Sequence, residues 1–227
     1  AARYELAQYR AAAGDFSAAL RTAEVRLFPL MYRGHSYFML AEYEKARRDY
    51  TEARTLCETA SRVGGAYPVI APAVTGGEDV FSPSVFTPGA GREFLEALLS
   101  YFIGFTFERQ EGKERFAMKH YSLAIDSDKT FHPAYLRRST LYLSFDAYQI
   151  AVNDLDVLTR EYSSPYLYYL RARAYAGLKK WEKALADISH AIRGEPEQTH
   201  YYALCSRIYE AAGDSGRDFS GRRQKEE

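Results

Sequence analysis

Residues 32–53 read YRGHSYFMLAEYEKARRDYTEA, and their spacing decides the fold. Small or apolar residues recur at Gly34, Tyr37 and Leu40, then at Tyr43, Ala46, Tyr50 and Ala53, in steps of three and four. That is the spacing of one face of an α-helix, with charged residues filling the other face. The stretch predicts two successive amphipathic helices, the first built around a small residue followed three later by a ring, the second around Ala46.

The same pattern recurs along the chain. Leu6-Tyr9-Ala12, Leu40-Tyr43-Ala46 and Leu178-Trp181-Ala184 align, and an aspartate follows each alanine by three residues, at Asp15, Asp49 and Asp187. Weaker copies carry Ala117, Tyr121 and Ala124, then Tyr148, Ala151, Asp154 and Leu158. Ala12 and Ala46 lie 34 residues apart, as do Ala117 and Ala151, and Ala184 follows Ala151 by 33. Upstream of these helices sit the small residues Gly34, Gly104, Ser139, Ala172 and Ser206, with rings three later at Tyr37, Phe107, Tyr142, Tyr175 and Tyr209. A fixed period of this length marks a repeat architecture. It also gives many of the 20 tyrosines a structural place.

This pattern resembles the tetratricopeptide repeat (TPR) family, most closely at residues 32–53 and 169–191. The resemblance implies about six units, the first and last incomplete, in an all-α, right-handed superhelical solenoid of antiparallel helix pairs. Residues 1–7 are expected to be the end of a first helix, and 199–212 an unpaired one. With no initiating Met, the chain reads as a fragment of a longer solenoid.

Pro29, Pro133, Pro165 and Pro196 fall between units, where helices stop or start. Pro68, Pro72, Pro83 and Pro88, together with six glycines, crowd into residues 63–92, which reads as a long loop. The expected organisation is TPR-like units over 1–61, a Gly/Pro-rich insertion over 62–92, further units over 93–212 and a polar tail over 213–227. The insertion is expected either to pack on the solenoid or to meet a partner.

Composition excludes several classes. Thirty basic residues balance thirty acidic ones, so no net field draws the chain to nucleic acid. A base-reading helical-repeat RNA binder would want a cationic, polar groove, and the groove positions here are largely aromatic and aliphatic. No apolar run approaches the ~18 residues of a membrane span, and no signal peptide is present, so the expectation is a cytoplasmic chain, with a cytoskeletal or ciliary association as a variant. Cys57 and Cys205 read as small buried hydrophobes in a reducing compartment.

No phosphate loop, nucleophile elbow or zinc-protease motif is present, and Gly89-Ala90-Gly91 follows no strand. His190 and His200 straddle a unit boundary without a metal-ligand pattern. The pairs Asp154 with Asp156 and Glu182 with Asp187 read as solvated helix faces. The expectation is a protein that is not an enzyme, with no cofactor, no metal and no small-molecule substrate.

In the TPR family the first helices line a concave groove. Carried onto this sequence, the resemblance places Met31, His35, Phe38, Tyr101, Phe105, Tyr169, Arg173 and Arg207 there as partner-binding residues. An amphipathic peptide or helix of another protein would suit aromatic anchors followed by two arginines. The alternative for Phe38 and Phe105 is packing against a neighbouring helix. The chaperone-binding carboxylate clamp needs asparagines on first helices, and Asn153, the sole asparagine, lies on a second helix. The expected function is a protein–protein interaction scaffold or adaptor within a larger complex. Alternatives are a structural subunit of a cytoskeletal or ciliary assembly and a docking arm of an enzyme whose catalytic domain lies elsewhere.

Overall fold

The computed structural model describes residues 2–23, 26–62 and 91–213. The expectations for the 62–92 insertion and for the tail fall almost wholly outside these residues. The described residues form ten α-helices and no strand: α1 (Ala2–Thr22), α2 (Leu27–Met39), α3 (Tyr43–Arg62), α4 (Arg92–Glu108), α5 (Glu114–Ser127), α6 (His132–Ser144), α7 (Tyr148–Glu161), α8 (Pro165–Gly177), α9 (Trp181–Gly194) and α10 (Thr199–Ala211). They divide into two compact units, Ala1–Ala134 and Tyr135–Glu227.

In the first unit α2 pairs with α3 and α4 with α5, while α1 lies against α2 and α3 against α4. In the second unit α8 pairs with α9, α7 packs on α8, and α10 packs on α9. The repeat alanines lie inside the helix packing: Ala46, Ala53, Ala117, Ala124, Ala151, Ala184 and Ala191 are all fully buried. A methyl group there lets backbones approach, and the larger rings fill the next layer. Tyr50 and Tyr121 are wholly buried. Their rings cover Gly34 and Gly104 so closely that a Cβ on either glycine would sit 2.9 Å from the ring's Cε1.

Three of the turns inside helix pairs share one construction. The backbone N–H of Glu42, Ala147 and Lys180 donates to the carbonyls of Tyr37, Tyr142 and Tyr175, five residues earlier. The residue between helices is left-handed, at Ala41 (φ 57°), Asp146 (φ 55°) and Lys179 (φ 57°). This is the Schellman ending, which satisfies orphan carbonyls but favours glycine at its left-handed position. The α4–α5 turn supplies one at Gly112 (φ 75°).

The first helix departs from expectation. Residues 1–7 were expected to close a separate helix, yet α1 runs unbroken from Ala2 to Thr22. Ala7 stands where the other units turn, and a left-handed alanine costs roughly 1–2 kcal/mol. Among the described residues α1 packs chiefly on α2, so little on a second face repays a turn. Ala12 and Asp15 accordingly miss the burial of their counterparts, and Ala13 is buried instead.

The acidic residues also differ from expectation. Asp154 and Asp187 are buried, not solvated. Each lies sixteen residues after an arginine on the preceding helix that grips it through two hydrogen bonds: Arg138 with Asp154 (2.8 and 2.6 Å) and Arg171 with Asp187 (2.8 and 2.9 Å). Arg33 holds Asp49 in the same way, at 2.7 and 2.6 Å. The third nitrogen reaches the helix before: Arg33 Nη1 donates to Ser17 (3.3 Å), and Arg171 Nη1 to Asp156 (2.8 Å) and Thr159 (2.6 Å). The planar guanidinium fork suits a carboxylate on one edge and a second acceptor on the other. Ile103 and His120 occupy the corresponding places on α4 and α5, so the staple is missing there.

Candidate functional site

The residues expected to line a groove separate into two environments. In the first unit Met31, Phe38, Tyr101 and Phe105 are buried, with relative exposures of 3, 9, 3 and 7%. Phe38 of α2 stacks on Phe105 of α4 at 4.9 Å, and Tyr101 packs on Phe105, Phe102, Tyr121 and Phe131. Tyr50 of α3 likewise stacks on Phe102 at 5.3 Å. These rings join the helices on either side of the insertion. His35 is half-buried and meets Tyr9 edge-on at 6.0 Å. Its burial pushes the imidazole down to about 4.

In the second unit the predicted residues face outward. Arg173 and Arg207 are exposed, and Tyr169 is half-buried beside Tyr166, which is 44% exposed. Both arginines border a pocket of about 340 Å³. Its apolar wall is formed by Leu143, Trp181, Leu204 and Ile208, from α6, α9 and α10. Asp146 and Tyr148 line it as well, the tyrosine hydroxyl donating to the carboxylate. Gly177, itself exposed, also lines it. A Cβ there would meet the Tyr148 ring at 2.4 Å, so the α8 backbone lies directly against that ring.

The electrostatics single out the same place. Arg33, Arg138 and Arg171 are each held by a carboxylate, whereas neither Arg173 nor Arg207 has a carboxylate partner among the described residues. Two cationic forks beside an apolar recess can take an anionic group next to an apolar one. Helical spacing along the first helices reaches Leu143, Arg173, Ala176 and Arg207 of this lining, with Tyr169 on the same face, but not Trp181 or Asp146. Trp181 was assigned only to the repeat signature, and the pocket exists because the turn after Tyr142 brings Asp146 and Tyr148 back towards Gly177. Among the described residues no group of histidine, cysteine or acidic side chains is arranged to hold a metal. No described helix is long and apolar enough to cross a membrane. Cys57 and Cys205 are buried thiols that form no disulfide with each other, and burial pushes Cys57 up to about 12.

Antiparallel helix pairs with small-residue contacts at a 34-residue period define a TPR-like solenoid. Solved structures bear this out. The C-terminal part of a TPR repeat-containing protein from Cytophaga hutchinsonii superposes with a TM-score of 0.63 over 94% of this chain and 70% of that one, at 16% identity. MamA from Desulfovibrio magneticus RS-1, residue 41 to its end, gives 0.52 over 80% and 86%, also at 16% identity. Another MamA crystal structure gives 0.60 over 83% and 84%, at 15% identity. The likeness at these identities is one of fold. No family model matches the sequence, and no curated protein matches it.

Proposed function

We propose that this chain is a non-catalytic interaction scaffold that holds a segment of another protein on the outward face of α8 and α10. One observation carries the reading: Arg173 and Arg207 are exposed, lack a carboxylate partner among the described residues and line a pocket that has one apolar wall. Ligand contact falls to Tyr169, Arg173 and Arg207. Met31, Phe38, Tyr101 and Phe105 hold helices together, and His35 lies at the edge of that packing. Repeat solenoids suit this role because each unit adds surface without needing a new core. The test is affinity capture with the wild type beside an Arg173→Glu/Arg207→Glu variant of matching circular dichroism and melting temperature. Partners retained by the wild type and lost by the variant support the site. Partners retained by both place binding elsewhere and refute it.

A further inference from the structure

Tyr166, Tyr169, Arg173 and Gly177 follow one another along one side of α8, three or four residues apart. Their contacts make a continuous track. The Tyr166 and Tyr169 rings stack at 6.1 Å, the Arg173 guanidinium lies 5.8 Å from the Tyr169 ring, and Arg173 and Gly177 line the same pocket. α10 forms the other bank, with exposed His200 meeting Tyr169 edge-on at 4.9 Å and Arg207 entering the same pocket. The surface therefore changes from aromatic to a doubly cationic rim, and that rim opens into a recess whose far wall is apolar, formed by Leu143, Trp181, Leu204 and Ile208.

Resting on the scaffold reading above, we propose that this track takes five extended residues of a partner protein. The central residue is aspartate or glutamate, an aromatic residue lies two positions to one side, and a large apolar residue lies two positions to the other. The spacing comes from the two backbones. Four residues of α8, from Tyr169 to Arg173 or from Arg173 to Gly177, rise about 6 Å. Two residues of an extended chain advance about 6.6 Å and return the side chain to the same face. Each station on the helix thus meets alternate side chains of the ligand.

The carboxylate belongs to a side chain and not to a chain terminus. The track continues on both sides of the arginines, so a ligand ending there would leave either the aromatic bank or the recess empty. The recess also selects. Asp146 lies in its lining, accepting from the Tyr148 hydroxyl, and repels a second carboxylate, so an acidic run is disfavoured.

The test is selection of random seven-residue peptides on the whole chain, in one arm with both peptide ends blocked and in another with a free C-terminus. Blocked peptides sharing aromatic–x–acid–x–apolar, read in either chain direction, are expected. By fluorescence anisotropy, affinity should fall about tenfold or more when the acid becomes its amide. The same loss is expected with Arg173→Gln/Arg207→Gln. Trp181→Ala should relax only the apolar preference. Selected peptides that bind the arginine variant equally well overturn both this inference and the placement of binding on α8 and α10, whereas blocked peptides that depend on both arginines but lack the aromatic–x–acid–x–apolar order overturn this inference alone. Enrichment confined to free C-termini overturns the internal placement. No enrichment in either arm overturns both this inference and the scaffold reading.

Discussion

The Tyr50 ring presses one side, Cδ1 and Cε1, against Gly34, with room for a hydrogen and not for a methyl group. The same relationship joins Tyr121 to Gly104. At the corresponding places of the other units the small residue is Ser139 or Ala172, and the residue opposite, in register, is Leu155 or Ile188, all fully buried. A ring goes with glycine, and a branched aliphatic goes with a Cβ. Gly34→Ala should therefore destabilise the first unit by about 1–3 kcal/mol through overpacking. Tyr50→Leu alone leaves a cavity, yet in combination with Gly34→Ala it should recover stability relative to either single change. Urea denaturation of the four proteins checks this, and additive losses would refute the pairing.

The arginine staples predict a different pattern. In Arg138 and Asp154 the side chains are 16 and 4% exposed, so Asp154→Ala leaves a cation largely out of water. The loss should be about 3 kcal/mol or more, whereas Arg138→Met/Asp154→Leu should be far milder. The chain already contains such a replacement, with Ile103 and His120 where the other units carry the pair. Thermal melts of both variants decide the matter.

Acid should weaken the first unit. Burial pushes His35 and His120 down to about 4, and Arg54, Lys119 and Arg47 add to the effect at His120. Both imidazoles stay neutral in the fold, while the unfolded chain takes up protons below its ordinary value of about 6.5. Stability from these groups is complete above pH 6.5 and is lost as the pH falls towards 4. Allowing for their partial exposure, roughly 1 kcal/mol per histidine should be gone by pH 5. Denaturation midpoints at pH 7.5 and 5 measure the slope, and His120→Gln should flatten it.

Lys179 holds a left-handed backbone (φ 57°) at the α8–α9 turn. Lys179→Gly should raise stability by about 0.5–1 kcal/mol, because relief of left-handed strain outweighs the added freedom of the unfolded chain. Gly112→Ala should do the opposite. A calorimetric shift of the wrong sign in either variant would contradict the turn geometry.

The sequence carried the fold because its strongest signal, alanine at a 34-residue period, is a packing requirement. Ala46, Ala117, Ala151 and Ala184 are all fully buried, as that signal demands. It failed at the first helix, since a motif marks where a turn fits and not whether a neighbouring helix is present to stabilise it. Ser206 shows the same limit: it matches Ala172 in register, yet it is exposed because no described helix covers it. The staples escaped because aspartate in a helix normally reads as solvated. Their signal was present in the arginine immediately before each of Gly34, Ser139 and Ala172. Of the site, Tyr169, Arg173 and Arg207 could be inferred from helical spacing. The recess could not, because it is shaped by the Asp146–Tyr148 turn folding against Gly177, a contact between residues about thirty apart.

The rings joining α3 to α4 mean that covalent continuity is not what holds the first unit together. Phe38 on Phe105 and Tyr50 on Phe102 bind helices that are separated in sequence by the Gly/Pro-rich stretch. The entropic cost of closing such a connection changes by only about 0.6 kcal/mol when its length doubles. Cleavage between α3 and α4 should therefore yield two pieces that copurify and, once separated, find each other again. That junction is also a natural place to splice in foreign sequence without disturbing the helices on either side.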